Sequence, residues 1–253
     1  MSGPLSVTAK HVAITQSNYI PWKGYFDIIH DVDIFVFYDN VQYTKNDWRN
    51  RNKVKGPTGA QWLTVPVGDK LHRLICEVDI KDARWQIKHW KTINQLYGGT
   101  PYFRLFRPFL EHFYLERKWT NLSDLNHYLT KTIAQDFLGI RASFLQSSDL
   151  PKQGVKQEAV ISMLKALNAD QYVSGPAGRA YLMPDQFEQE GIQLVWKDYS
   201  GYPEYPQIHP PFDHHVTILD LLFHTGNDAQ YFIWGWREDK NLAKHAPRER
   251  GGK

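Results

Sequence analysis

The sequence has a single cysteine, Cys76, among its 253 residues. One thiol forms no intramolecular bridge, so a disulfide-stapled secreted scaffold is excluded and a reducing compartment is the natural setting. No apolar run approaches the roughly 18 residues of a membrane span, and the opening MSGPLSVTAK lacks the apolar core of a secretory leader. The expectation is a soluble, cytoplasmic protein with no membrane partner. Net charge is only +3, so nothing in the overall balance demands a nucleic-acid or membrane surface. There is no internal repeat. The motifs of several common chemistries are missing as well: no P-loop, no dinucleotide fingerprint, and no GxSxG elbow around Ser174. His209, His214 and His215 lie close together, but without HxxxH, HExxH or cysteine-pair spacing, and no metal site is expected.

Present instead are 42% hydrophobic and 23% charged residues, a globular balance that excludes disorder as the main state. Aromatic content is 14%, with nine Trp, which suits either a Trp-rich core or a pocket for sugars and bases. The runs HVAIT and DVDIFVFYD read as strands flanking an amphipathic segment from Pro21 to His30. AQWLTVPV and RLICEVDI, joined by GDKLH, read as a hairpin inserted near 60–80, with Cys76 an inert thiol in its second strand. ARWQIKHWKTINQLYGG reads as a helix stopping at Gly98 and Gly99, and NLSDLNHYLTKTIAQDFLG as one capped by Asn121 or Ser123. ASFLQSSDL, KQEAVISMLKALNA, DQYVSG and PDQFEQEGIQLVWKDY then continue in β-α-β-α-β order. The class implied is α/β, a mostly parallel sheet with helices on both faces. Residues 1–200 form the expected core; 201–253 form a Pro- and Tyr-rich wrap, short helices over VTILDLLFHTG and NDAQYFIWGW, and a frayed basic end, KNLAKHAPRERGGK.

Ligands of such sheets bind at the carboxyl ends of strands, where TQSNYIPWKG, YDNVQYTKNDWRNRNK and SGPAGRAYL fall. The second loop carries Lys45, Arg49, Arg51, Lys53 and Lys55 among Asp47, Trp48, Asn50 and Asn52. Guanidinium forks and ammonium charges there suit a phosphate or carboxylate, the plainer alternative being a solvated charged loop. Asp39 and Gln42 lie at the same edge; a carboxylate there can cap the loop or accept a proton from an amine nucleophile. In SGPAGRAYL, small residues let backbone approach a ligand, and Arg179 can pair with an anion. His89, beside Trp90 on the long helix, is a general-base candidate if its face meets the cleft, and a surface histidine otherwise.

ITQSNYIPWKGYFDII, DIFVFYDNVQYTKNDWRNRNK, QWLTVPV, YVSGPAGRAYL, YPEYPQ and TILDLLFHTG together resemble, in the same order, the motif series of the WbqC-like family. That family is associated with bacterial O-antigen and other surface-polysaccharide clusters, and some members have been proposed to transfer glycine to a sugar. The resemblance implies site residues Gln16, Tyr19, Pro21 and Trp22, then Asp39, Gln42, Lys45, Trp48, Arg51 and Asn52. It further implies Ser174, Gly175, Gly178, Arg179 and Tyr181, followed by Tyr205, Pro206, Gln207 and Asp220. Ser17 stands where the family usually has proline, which relaxes a backbone constraint without removing a chemical group. A fainter similarity is to nucleotidylyltransferase-like (HUP/Rossmann-like) folds, whose H-x-G-H turn is here Trp22-Lys23-Gly24-Tyr25, without the imidazoles that chemistry uses.

The expectation is a transferase of surface-glycan biosynthesis that joins glycine or a similar acyl unit to the amine of a nucleotide-linked amino sugar. Lys45, Arg49, Arg51 and Arg179 would hold phosphate or carboxylate; Tyr19, Trp22 and Trp48 would stack on sugar or base; Asp39 or His89 would take the amine proton. The activated donor is left open between ATP, a thioester and an aminoacyl-tRNA, the basic segments being short for a tRNA surface. The alternatives are an ATP-dependent amide ligase or nucleotidyltransferase, and a non-catalytic nucleotide-sugar binder.

Overall fold

The computed structural model describes residues 9–70 and 72–239. Five strands form one all-parallel sheet: β1 (His11–Thr15), β2 (Ile34–Phe37), β5 (Ser143–Gln146), β6 (Gln171–Ser174) and β7 (Gln193–Trp196), in the order β5-β2-β1-β6-β7. Successive strand residues point to opposite faces. Ala13, Phe35 and Phe37 accordingly join one core cluster, while Val12, Ile14 and Val36 join another. Two apolar faces must both be covered, and they are. The first packs with α1 (Lys23–His30), α2 (Arg84–Tyr97), α3 (Phe103–Glu111), α4 (Leu122–Thr132) and α7 (Ile218–Thr225); the second packs with α5 (Gln157–Ala166) and α6 (Pro184–Gln189).

Asn121 is the cap of α4, its side chain accepting from the Asp124 N–H at 3.1 Å. α2 stops at Gly98, as its sequence indicates. The second short helix expected near the end is a 3-10 turn, Gly226–Gln230, followed by a π turn, Tyr231–Gly235. The basic end KNLAKHAPRERGGK lies outside the described residues.

The hairpin differs from expectation. β4 (Gly59–Thr64) pairs antiparallel with β3 (Arg51–Gly56), placing Lys53 opposite Trp62, so the hairpin spans 51–64. RLICEVDI is no strand: Ile75–Glu77 is a single 3-10 turn, with Glu77 accepting from the Leu74 N–H at 2.8 Å, and Cys76 is exposed. The charged alternate positions of RNKVKG disguise a strand whose Asn52 and Val54 point inward.

The wrap is tied down by buried carboxylates. Asp220 accepts from Tyr205 Oη at 2.8 Å, Gln207 Nε2 at 2.9 Å and Tyr97 Oη at 3.0 Å. Asp27, fully buried on α1, accepts from Lys197 Nζ at 2.8 Å, Tyr202 Oη at 2.5 Å and both terminal nitrogens of Arg237 at 2.9 and 2.6 Å. Among the described residues, no helix is long and apolar enough to cross a membrane.

Candidate functional site

β1 lies where the sheet order reverses, with β2 and β5 to one side and β6 and β7 to the other. Loops at the carboxyl ends of strands diverge at such a point and leave a crevice. The loop leaving β1 is held from several directions. Asp39, 3% exposed at the end of β2, accepts from the Ser17 N–H through Oδ1 and pairs with His127 Nε2 through Oδ2, each at 2.8 Å. Burial pushes the Asp39 carboxyl up, but the bonds from His127 and Ser17 outweigh it and hold it below its usual range. Asn52 Nδ2 donates to the carbonyls of Tyr19 and Ile20 at 3.1 and 2.7 Å. Ile20 has φ +40°, a left-handed conformation that a β-branched residue rarely adopts, so these bonds hold a strained turn in place.

The turn frames a cavity of about 260 Å³ lined by Asn18, Pro21, Trp22, Trp48, Asn52 and His215. Trp22 stacks on His215, with ring centroids 5.9 Å apart and planes at 20°. Trp48 lies 5.4 Å from Trp62, over which the Arg51 guanidinium sits at 4.3 Å and Lys53 Nζ at 5.3 Å. Arg49 binds the side-chain oxygens of Gln16 and Asn18 and approaches Asp47 at 3.8 Å. Burial lowers its pKa from the usual arginine value, and its Nε has no partner among the described residues. Flat aromatic walls, side-chain amides and adjacent cations suit a polyhydroxylated ring carrying an anionic group.

A larger open groove, about 630 Å³, is lined by α5, α6 and the loop before α5. It meets none of the residues expected from sequence.

Gln16, Trp22, Trp48, Arg49, Arg51 and Asn52 therefore come together at or beside the cavity. Others do not. Tyr19 is fully buried rather than facing the cleft, its hydroxyl 2.8 Å from His89 Nδ1 and 2.6 Å from Tyr114 Oη. His89 is buried with it; burial lowers its pKa to about 4, partly offset by the Thr64 backbone, which leaves a neutral core imidazole in place of a cleft base. Lys45 pairs with Asp69 at 2.6 Å on an exposed loop, and Gln42 Nε2 donates to the Tyr43 carbonyl at 3.3 Å. Ser174 Oγ turns to the Gly175 carbonyl at 3.4 Å; a Cβ on Gly178 would meet that Oγ at 2.6 Å, so this glycine permits close packing. Arg179 lies 5.2 Å over Trp196, Tyr181 is exposed, and neither lines the cavity. Tyr205 and Gln207 bind Asp220 and act as latches of the wrap.

Sequence reasoning missed His127, whose link to Asp39 no spacing reveals, and the cavity roles of Asn18 and His215. Among the described residues, no cluster of three or more His, Cys, Asp or Glu side chains could hold a metal ion.

The family model described as the WbqC-like protein family matches residues 16–231, which include every cavity residue. The chain is 42% identical over 226 residues to the uncharacterized protein Rv1507c of Mycobacterium tuberculosis, covering 88% of this chain and 97% of that relative. No solved structure matches the chain significantly.

Proposed function

We propose a function from one premise, that the chain belongs to the WbqC-like protein family: it is a transferase of bacterial surface-glycan biosynthesis that moves glycine or a similar acyl unit onto the amine of a nucleotide-linked amino sugar. The observation that carries this reading is the cavity between Trp22, Trp48 and His215, with the amides of Asn18 and Asn52 inside and Arg49, Arg51 and Lys53 alongside. About 260 Å³ suits a sugar ring, and the cations beside it suit the diphosphate. The strand order, with the cavity at its reversal, supports a nucleotidylyltransferase-like (HUP/Rossmann-like) arrangement and a nucleotide-bearing ligand. ATP, a thioester or an aminoacyl-tRNA would supply the activated acyl group.

One observation favours a second reading, a non-catalytic nucleotide-sugar binder: Asp39 and His89, the expected proton acceptors, are both committed to internal hydrogen bonds. The test is a thermal-shift screen against nucleotide-linked amino sugars, free nucleotides, acyl-CoAs and glycine. A shift with an amino-sugar nucleotide that is lost in Trp22→Ala and Arg51→Ala supports the site. Consumption of that ligand with an activated glycine then separates transferase from binder, and a shift with ATP alone overturns both in favour of a ligase.

A further inference from the structure

Lys23 opens α1 directly after Trp22 and is 2% exposed. Its Nζ has no hydrogen-bond partner among the described residues, a costly state for a buried ammonium. The carboxylates that act on it, Asp27 and Asp220, are committed elsewhere: Asp27 to Lys197, Tyr202 and Arg237, and Asp220 to Tyr97, Tyr205 and Gln207. Rings surround Nζ instead, with centroids at 4.7 Å for Tyr202, 5.4 Å for Tyr205 and 6.0 Å for Phe212. His214, 4.5 Å from the Phe212 ring, also has a buried Nδ1 without a partner among the described residues. Burial lowers the Lys23 amine to about 8, with Asp27 and Asp220 offsetting part of the effect. The His214 imidazole is lowered too, by burial first and then by the Lys23 charge.

The cage adjoins the cavity. Trp22 and His215 stack and line it; Lys23 and His214, their immediate neighbours in the chain, do not. Pro210, Pro211 and His215, on the same segment as Phe212 and His214, are exposed.

We propose that Lys23 is a nucleophilic amine that captures a small aldehyde or ketone from the adjoining cavity as an iminium adduct. The free amine adds to the carbonyl carbon, forming the C–N bond, and the carbinolamine then loses its hydroxyl as water. Overall the ammonium and the carbonyl give a protonated iminium and one water, both hydrogens of which come from Nζ, so no oxidant or reductant takes part. The cage favours this adduct over an acylated one: an iminium keeps its positive charge among the rings, whereas an amide would leave a carbonyl oxygen unpaired there. The assignment does not rest on the acyl-transfer reading.

The full chain is treated at pH 7 with limiting formaldehyde and cyanoborohydride, which traps iminium as methylated lysine, and the modified sites are quantified by peptide mass spectrometry. Lys23 is expected to react ahead of the exposed lysines despite its burial, having on the order of a hundredfold more free amine than an ordinary lysine. In Lys23→Met, with its melting transition retained, that fast phase disappears. A Lys23 rate equal to or below that of exposed lysines, or labelling only in denaturant, overturns the assignment.

Discussion

Nε2 of His127 on α4 lies 2.8 Å from Oδ2 of Asp39 at the end of β2, with both side chains buried. Because the other Asp39 oxygen holds the Ser17 N–H, this pair ties the start of the cavity loop to α4. Replacing the carboxylate weakens two buried hydrogen bonds to a charged group, which costs about 3 kcal/mol. Asp39→Asn is expected to lose that much stability in urea denaturation at pH 7. The folded carboxyl is held below its ordinary value, so its contribution is present above about pH 4 and is lost as pH falls through the folded pKa. The acid limb of the wild-type stability curve should therefore be shallower in Asp39→Asn.

His89 acts in a separate pH window. Its folded pKa is depressed to about 4 from 6.5, so the neutral imidazole contributes stability above pH 6.5 that is lost progressively toward pH 4. The difference corresponds to about 3 kcal/mol. Urea midpoints at pH 7 and pH 4.5 should fall apart in the wild type and draw together in His89→Gln.

Gly24 faces the Trp22 indole so closely that an added Cβ would enter the ring's own space. Alanine favours the helix by about 1 kcal/mol, and the indole is a side chain that can swing aside. Gly24→Ala is thus expected to melt within a few degrees of the wild type while shifting tryptophan emission and losing the ligand response of the cavity. An unchanged emission spectrum would contradict the assigned position of Trp22.

Asn52→Ala leaves the Tyr19 and Ile20 carbonyls without their amide donor and releases the Ile20 turn. The expected cost is about 2 kcal/mol, with weaker binding of any cavity ligand, as measured by calorimetry.

The sequence made the parallel sheet legible through simple contrasts. VAI and FVF are apolar at every position, as strands covered on both faces require, and the helices between them carry apolar stripes. The hairpin was hidden because the outward face of β3 is Arg51 and Lys53, which read as loop charge until Trp62 is seen beneath them. In the site, Trp22 and Trp48 could be placed from strand-end loops alone. Tyr19 could not, because the left-handed Ile20 separates a buried ring from an open one within a few residues. His127 is 88 residues from Asp39, and that pairing arises only when β2 and α4 pack.

The four hydrogen-bond donors that hold Asp27 arrive 170 to 210 residues after it. A ribosome that has released β1, α1 and β2 has therefore not yet supplied Lys197, Tyr202 or Arg237. Until they emerge, the helix that begins behind Trp22 carries a carboxylate that favours water over the core. The cavity therefore sets only after those residues emerge, although Trp22 is made far earlier, and a translation product stopped short of Arg237 lacks a clamp on the helix supporting it.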